Sequence, residues 1–410
     1  MNFGFLHKFM ARKAPVILVV SHFLPYPVEH GNQLRLLKLL KHLKTEGYQV
    51  AFIYTGYDIS LAAESYIKKK LVKELYWRQK TGFLRRLFKF GKPGLPAAAG
   101  EIKAEKNIKT LISKYFFDGG TEAHISGIIK KIKPDVMICE YVFMSPSLDL
   151  ADRDCLKIID TIDVFSDKTS ETLACGDIII CTKEEESSYL SKADVIIAIQ
   201  SREAVRLKEL APEKKIITVG VDFDLSRKAF HKDGASQTVL IVASSNSYNA
   251  AGLKQFIENA WPKITELCPA AVLRVAGRSA ELAASRAKNI EIAGWKKDLK
   301  GEYERASIVV NPVKFGTGLK IKSVEALAYG KALVCWPYGA HGIAEDEKEK
   351  PYIACGSWDE LADSAAALLK DPVKRMSLRK RASDFARRQF RSEKVYLPLM
   401  DAIEEHLGIS

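Results

Sequence analysis

The feature that most constrains the fold is a glycine loop set between two apolar runs. The first run, Ser307 to Pro312, is closed by a proline, as expected of a buried strand in a parallel sheet. Gly316 and Gly318 then allow a sharp turn and a close approach of the backbone to a ligand. Helical spacing of apolar residues follows from about Leu319, and the second run begins at Ala332. The pattern predicts strand, glycine loop, helix and strand.

This arrangement also indicates the chemistry of a ligand. A glycine loop that opens a helix exposes free N–H groups and the positive end of the helix dipole, which both favour an anion. Lys320 and Lys322 bring two positive charges to that end, and Glu325 lies where its carboxylate could accept hydrogen bonds from hydroxyls. The stretch therefore predicts a site for a phosphate joined to a polyhydroxylated group, although a solvated helix face is the simpler alternative.

The same alternation of apolar runs and helical patterns occurs twice along the chain. Val16 to Val20 opens the first series and Thr238 to Ala243 opens the second. A chain of 410 residues favours two domains, and the alternation favours doubly wound α/β domains whose ligands bind at the carboxyl ends of the strands. We predict two Rossmann-like domains that face an interdomain cleft. The predicted bounds are 1–224 for the N-terminal domain, 225–236 for a linker, 237–385 for the C-terminal domain, and about 386–410 for a last helix that packs back on the first domain.

Composition excludes several other classes of protein. No window approaches the roughly 18 apolar residues that a membrane span needs, and Met1 to Pro15 lacks the apolar core of a signal peptide. A cytoplasmic protein is therefore expected. The seven cysteines form no CxxC pair, which favours reduced thiols over disulfides or a zinc site. Asp222 and Asp224 resemble a metal-binding pair but fall at the predicted exit of the first domain, so no metal site is predicted.

A basic stretch, residues 66–92, departs from the alternation. The stretch contains ten lysines or arginines and one acidic residue, Glu74. The formal net charge of the whole chain is +13. Aromatic residues alternate with the cations, as in an amphipathic helix on an anionic membrane. We predict docking to the inner membrane face or to an anionic acceptor; the alternative is a helix packed on its own domain. Nucleic acid is not predicted, because no nucleic-acid motif accompanies the charge. The docking candidates are Phe83, Arg85, Arg86, Phe88 and Lys89.

Residues 316–334 resemble the signature of GT-B glycosyltransferases of the GT4-like group, also called group 1. Weaker matches are Ala276-Gly277, Gly220 to Asp222, Asp160 to Val164 and the segment from Pro25 to Arg35. The resemblance covers nearly the whole chain. It implies transfer of a sugar from a nucleotide-diphosphate donor, with UDP or GDP as the nucleotide, to a lipid-linked or polysaccharide acceptor. It further implies retention of anomeric configuration without a metal or other cofactor.

The resemblance also assigns roles to residues. Glu325 would bind the ribose hydroxyls, and Gly294 with Trp295 would line the base, although Trp295 could instead belong to the core. Gly31 and Asn32 would approach the donor from the first domain. Lysines would neutralise the diphosphate, on which charge grows in the transition state. The remaining donor-binding candidates are Ser245, Asn246, Gly277, Gly316, Thr317, Gly318, Leu319 and His341, and the catalytic candidates of the motif are Lys320 and Lys322.

The other catalytic candidates rest on their position at strand ends and not on the resemblance. His22 lies in the loop after the first strand and is a catalytic or acceptor-side candidate, although it does not align with the histidine of the group. Asp160 and Asp163 follow a later strand, where they could hold acceptor hydroxyls or act as a base; the alternative is a carboxylate that caps the next helix. Asp163 is the catalytic candidate of the two.

The sequence departs from the pattern of the group in two ways. A glutamate that often precedes the helix glutamate by eight positions is replaced by Thr317. The arginine and lysine that often follow the first strand of the second domain are also missing, since that loop contains Ser244, Ser245 and Asn246. Lys320 and Lys322 could replace those cations. The departures leave two alternatives open: a nucleotide-sugar epimerase, and a non-catalytic sugar-binding protein.

Overall fold

The computed structural model describes residues 14–78, 112, 116–168, 181–225, 236–245, 247–283, 288–315 and 318–409. The chain divides into two compact units. The first contains the strands up to residue 219 together with Tyr396–Ser410, and the second contains Gly220–Val395. Most of the predicted linker, residues 226–235, lies outside the described part of the chain.

The first unit is built on a parallel sheet of seven strands in the order β3-β2-β1-β4-β5-β6-β7. The first strand in the chain, which is the third in this order, is fully buried from Ile17 to Val20, so both faces of the sheet are covered. The strands are β1 Val16–Ser21, β2 Gln49–Tyr54, β3 Glu74–Trp77, β4 Val136–Glu140, β5 Leu156–Asp160, β6 Val195–Ala198 and β7 Lys215–Thr218. The helices are α1 Gly31–Thr45, α2 Leu61–Lys70, α3 Gly119–Ile132, α4 Lys183–Leu190 and α5 Ser201–Leu210, with 3-10 helices at Val142–Leu150 and Phe165–Asp167.

The second unit repeats this scheme with a six-stranded parallel sheet in the order β10-β9-β8-β11-β12-β13. The strands are β8 Thr238–Val242, β9 Val272–Ala276, β10 Ile290–Gly294, β11 Ile308–Asn311, β12 Ala332–Cys335 and β13 Ile353–Ala354. The helices are α6 Ser247–Asn259, α7 Trp261–Leu267, α8 Lys300–Arg305, α9 Ile321–Ala328, α10 Trp358–Lys370 and α11 Pro372–Gln389, with 3-10 helices at Arg278–Ala283 and Pro337–Ala340. The last helix, α12 Ser392–Leu407, begins in the second unit and belongs to the first unit from Tyr396 onward. In both sheets the strand order reverses beside the first strand, which is where open α/β sheets bind ligands.

The C-terminal residues pack on the first unit. The ring of Tyr396 stacks on His42 of α1, with centroids 4.3 Å apart and planes 18° apart. His406 Nε2 lies 3.0 Å from the carbonyl oxygen of Asp154, and Lys215 pairs with Glu405. The chain therefore returns from the second unit to complete the first.

Several element bounds differ from the predicted ones. The apolar pattern from Ala250 to Leu267 favours one continuous helix, but the structure has two, because Pro262 lacks an N–H and starts α7 after a break at Ala260. The helix after the glycine loop begins at Ile321 rather than at about Leu319. Gly330, just after that helix, has a left-handed φ of 60°, the conformation that favours glycine at a helix C-terminus.

Within the described ranges, no helix is both long enough and apolar enough to cross a bilayer. The six cysteines that the structure describes are free and buried: Cys139, Cys155, Cys181, Cys268, Cys335 and Cys355. Each is a small apolar side chain of the two cores rather than part of a covalent framework.

Candidate functional site

In the second unit, the candidate site lies at the reversal point between β8 and β11. The loop after β8 is fixed by its own hydrogen bonds: the carbonyl of Ser244 accepts from Ser279 Oγ at 2.7 Å, and Ser244 Oγ accepts from Asn249 Nδ2 at 2.7 Å. Lys322 of α9 also donates to Ser244 Oγ, at 3.2 Å. The helix that follows the glycine loop thus places a lysine where the β8 loop itself carries no cation.

Lys322 has an unusual electrostatic setting. The surrounding protein atoms desolvate its ammonium group and lower its pKa to about 7, and the opposing charge of Glu325 only partly offsets this effect. A lysine with that pKa is partly neutral at pH 7. A bound anion would stabilise its charged form and offset the cost of desolvation. The side chain is half-buried, so a ligand can reach it.

Glu325 lies one turn further along α9. Its Oε2 accepts a hydrogen bond from the hydroxyl of Tyr303 at 3.1 Å, and Tyr303 comes from α8 on the neighbouring part of the chain. The Tyr303 ring is fully buried and stacks on Tyr329 with centroids 4.4 Å apart. The half-buried Glu325 carboxylate is therefore held by a hydroxyl whose ring is fixed in a buried aromatic stack.

The start of α9 is held by a buried polar chain. Asn311 at the end of β11 donates from Nδ2 to Ser323 Oγ at 2.8 Å, and Ser323 Oγ donates to the carbonyl of Gly339 at 2.5 Å. Asn311 and Ser323 are buried, and so is Gly339 in the loop after β12. These bonds fix the orientation of the helix against two strand ends, because buried polar groups are costly to leave unpaired.

The glycine loop is only partly described. Gly318 is buried with a φ of 75°, which supports the predicted need for a glycine there. Leu319 is half-buried and packs on the core, and Lys320 Nζ lies 3.4 Å from the carbonyl of Gly318. Gly316 and Thr317 lie outside the described residues, so their predicted roles stay predictions.

Other donor-side candidates surround the ends of β8, β9 and β10. Gly277 has a φ of 107°, and a Cβ at this position would lie 2.2 Å from the carbonyl oxygen of Ala243, so only glycine fits. Its N–H donates to Gly294 at 2.8 Å. Trp295 is 43% exposed, with the Arg278 guanidinium 5.5 Å from its ring, so the alternative of a core tryptophan is wrong.

The last two donor candidates lie in neighbouring loops. Ser245 is exposed in the β8 loop, and the adjacent Asn246 lies outside the described residues. His341 is half-buried after β12, and its ring centroid is 4.2 Å from that of Tyr338.

In the first unit, His22 follows β1 at the equivalent reversal point. Its ring lies among aromatic side chains, with centroids 5.1 Å from those of Phe23 and Phe116 and 5.6 Å from that of Tyr141. Burial lowers the pKa of His22 to about 4, so the imidazole is neutral at pH 7. Its Nδ1 is buried and has no hydrogen-bond partner among the described residues.

Tyr141 connects the remaining candidates of the first unit, a role that the sequence did not predict. Burial and then the nearby charge of Asp163 raise its pKa well above the usual range, and the side chain of Asn32, beside Gly31 at the start of α1, opposes this effect. Tyr141 and Ile162 have left-handed φ values of 64° and 61°, which is rare for a β-branched residue such as isoleucine. Strain of this kind often accompanies function.

A buried ionic cluster lies under this edge of the sheet. Arg35 of α1 donates from Nε and Nη2 to Asp160 at 2.7 and 2.8 Å, and from Nη1 to the carbonyl of Val219 at 2.7 Å. Asp160 is 1% exposed, so the interpretation of this carboxylate as a ligand for acceptor hydroxyls is not supported by its contacts. Glu140 on the neighbouring strand is fully buried, and burial together with Asp160 raises its pKa well above the usual range.

The predicted docking residues Phe83, Arg85, Arg86, Phe88 and Lys89 all lie outside the described part of the chain. Of the basic stretch, the structure describes residues 66–78, which include the exposed lysines Lys68 to Lys70 at the end of α2 and the strand β3. Docking through this stretch stays a prediction.

Comparison with known protein families gives a match within the second unit. Residues 236–371 match the family model described as glycosyl transferases group 1. The second unit carries a glycosyltransferase domain. This segment contains the Ser244, Lys322 and Glu325 cluster, and the predicted resemblance to the group 1 glycosyltransferases is confirmed there.

Related chains extend the likeness beyond this glycosyltransferase domain. A Klebsiella pneumoniae protein described as an uncharacterized 44.6 kDa protein in the cps region is 23% identical over 353 residues, or 82% of this chain and 87% of its own length. A mutant of S. aureus TarM, solved with Fondaparinux, alpha-GlcNAc-glycerol and UDP, has a TM-score of 0.70 at 12% identity and covers 95% of this chain and 99% of its own.

Two further solved structures show the same architecture. Anabaena HepE in complex with UDP has a TM-score of 0.65 at 12% identity, covering 95% of this chain and 99% of its own. Sucrose-phosphate synthase from Thermosynechococcus elongatus has a TM-score of 0.64 at 12% identity, covering 97% and 100%. The predicted fold class, two Rossmann-like domains of the GT-B type, is confirmed.

Proposed function

We propose that this protein is a retaining, metal-independent glycosyltransferase that uses a nucleotide-diphosphate sugar, with UDP or GDP as the nucleotide. The observation that carries the proposal is the cluster of Lys322, Ser244 and Glu325 at the reversal point of a glycosyltransferase domain. A cation and a carboxylate one turn apart suit the two ends of a nucleoside diphosphate, namely its phosphates and its ribose. The UDP bound to TarM and HepE, which share this fold, supports the same assignment.

In this proposal the lysines act on the leaving group. Cleavage of the sugar–phosphate bond leaves a nucleoside diphosphate whose negative charge grows in the transition state. Lys322 receives that charge through its ammonium group, and Lys320 adds a second positive charge at the start of α9. The positive end of the α9 dipole strengthens the positive potential there. These groups supply the charge neutralisation for which other transferases use a divalent cation.

The first unit would hold the acceptor, which we propose to be a lipid-linked or polysaccharide glycan. His22 is neutral at pH 7 because of its low pKa, so it can exchange a hydrogen bond with a sugar hydroxyl without carrying charge. Asp163 follows β5 at the same edge of the sheet and is the candidate base. The relative from a cps region and the glycan ligands of TarM support a glycan acceptor.

Glu325→Gln is expected to weaken UDP or GDP binding about 10-fold, because a charge-assisted hydrogen bond to ribose becomes a neutral one. Isothermal titration calorimetry of both nucleotides against the wild-type protein and the variant measures the effect. Glu266→Gln, an exposed change on α7, is the matched control and should bind like wild type. Absence of nucleotide binding by the wild-type protein, or equal binding by Glu325→Gln, contradicts the proposal.

A second assay with the same protein distinguishes a glycosyltransferase from an epimerase and from a non-catalytic sugar-binding protein. Incubation of a nucleotide sugar without acceptor should yield at most slow hydrolysis, whereas an epimerase would produce an isomeric nucleotide sugar. A sugar-binding protein without activity would leave the donor unchanged even when acceptor is added.

We also propose that the basic stretch docks this enzyme on an anionic membrane surface. Replacing Arg85, Arg86 and Lys89 with glutamine should reduce co-sedimentation with phosphatidylglycerol-containing vesicles at least several-fold, since each basic residue near such a surface contributes about 1 kcal/mol. Glutamine replacement of Lys130, Lys131 and Lys133, which lie at the end of α3, is the control with the same change of charge. Equal loss in both variants would show a general charge effect and exclude docking through this stretch.

A further inference from the structure

We propose that Tyr303 is a positioning residue that orients the Glu325 carboxylate, and that it thereby determines how strongly the site selects the ribose hydroxyls of the donor nucleotide. The inference rests on the proposed function, in which Glu325 binds the ribose. It adds a residue from a different element, since Tyr303 belongs to α8 and Glu325 to α9.

The geometry supports a positioning role for Tyr303. Its hydroxyl donates to Glu325 Oε2 at 3.1 Å, while its ring is fully buried and stacked on Tyr329, with planes only 12° apart. Tyr329 follows Glu325 by four residues, so both side chains lie on one face of the helical path. The ring of Tyr303 has little room to rotate, and its hydroxyl is therefore a fixed donor.

The chemistry of the pair leaves the carboxylate able to bind a ligand. Burial and the nearby Glu325 both raise the pKa of Tyr303 well above its usual range, so the phenol keeps its proton and acts as a donor at any working pH. An ionised carboxylate has about four lone-pair sites. The bond from Tyr303 uses one of these sites, so it does not by itself prevent the carboxylate from accepting bonds from two adjacent hydroxyls, such as those of a ribose.

The position of α8 in the chain adds to this argument. Gly294 and Trp295, the candidates for contact with the base, precede α8 by a few residues. One short segment, residues 294–303, would therefore place an aromatic ring for the base and a hydroxyl donor under the ribose carboxylate. If this side chain served only for packing, phenylalanine would fill the same space equally well, and it would bring no buried hydroxyl that needs a hydrogen-bond partner.

The test compares two ligands and four proteins by calorimetry. The ligands are the nucleoside diphosphate that the wild-type protein binds, UDP or GDP, and its 2′,3′-dideoxy analogue. The proteins are wild type, Tyr303→Phe, Glu325→Ala and the double variant. We expect Tyr303→Phe to weaken binding of the ribonucleotide about 5-fold, as loss of an oriented charge-assisted hydrogen bond implies, and to leave binding of the dideoxy analogue unchanged. In the Glu325→Ala background the same change should have no further effect.

Each other outcome overturns the proposal in a distinct way. Equal weakening of both ligands by Tyr303→Phe would show a purely structural role. Unchanged ribonucleotide binding in Tyr303→Phe, with weakened binding in Glu325→Ala, would reject the role of Tyr303 and keep the proposed function. No nucleotide binding by the wild-type protein would reject both. Thermal unfolding of each variant, with Tyr329→Phe as a control that retains the stacked ring, confirms that the proteins compared are folded.

Discussion

Asp160→Asn is expected to lower the free energy of unfolding of the first unit by about 3–5 kcal/mol, the cost typical of removing one partner of a buried ion pair. Asparagine keeps the shape of the side chain but leaves the Arg35 guanidinium buried without its counter-charge. Arg35 and Asp160 are 2% and 1% exposed, so water cannot replace the lost partner. The third contact of Arg35, to the carbonyl of Val219, would weaken with it.

Glu140→Gln provides the contrast that makes this prediction specific. Glu140 pairs in register with Asp160 on the neighbouring strand and is as deeply buried. Its pKa is raised well above the usual range, first by burial and then by the charge of Asp160, so the folded protein favours the uncharged carboxyl. Glutamine is an uncharged replacement of similar shape, and the expected loss at pH 7 is below about 1 kcal/mol. Replacement of two adjacent carboxyl groups by amides is thus expected to lower the free energy of unfolding by amounts that differ several-fold.

The pH dependence of Glu140 has a definite sign. Its pKa is higher in the folded state than in the unfolded state, so the folded protein binds more protons and loses stability as pH rises above the unfolded value. Relative to wild type, Glu140→Gln should therefore become more stable as pH increases.

Urea unfolding at several pH values, with hydrogen exchange of β4 and β5 to assign the transition to the first unit, measures both variants. A loss for Asp160→Asn no larger than that for Glu140→Gln would show that the ion pair is not the source of stability.

These residues show which features could be predicted from the sequence. The apolar runs identified buried strands because a strand covered on both faces admits few polar residues, and the run from Ile17 to Val20 is such a case. The Arg35–Asp160 pair joins residues 125 positions apart, and no local pattern announces it. Asp160 in isolation looks the same whether it binds a ligand or an arginine.

The candidate site was predicted in part for the same reason. The glycine loop, the two lysines and Glu325 are local to one stretch, so their spacing already indicates a ligand. The contact of Lys322 with Ser244 depends on the packing of α9 against the loop after β8, which the sequence does not encode locally. Likewise, Tyr303 and Tyr141 follow ordinary patterns of a helix and a strand end, and only their neighbours in space reveal what they support.

Nucleotide binding is expected to take up a proton through Lys322. In the free protein, desolvation lowers the pKa of this lysine to about 7, so above pH 7 most of the molecules carry it uncharged. A bound diphosphate favours the charged form and raises the pKa again. Between the free and the bound pKa values, the affinity should therefore fall as pH rises, by up to about 10-fold per pH unit. Below pH 7 this source of pH dependence disappears, because Lys322 is already protonated.

Calorimetry at pH 7, 8 and 9, in buffers of different ionisation enthalpy, measures both the affinity and the number of protons taken up. Lys322→Met should lose about 10-fold or more of the affinity at pH 7, because a charge-assisted contact with phosphate disappears, and it should show no dependence on pH from this source. Lys320→Met is the matched control: it removes a charge from the same helix start but keeps Lys322 and its titration. A constant affinity from pH 7 to 9 in the wild-type protein, or a slope that persists in Lys322→Met, would exclude Lys322 as the group that titrates on binding. Since the diphosphate is the leaving group of the proposed transfer, the same proton would accompany its release, and the loss of affinity at high pH would favour product departure.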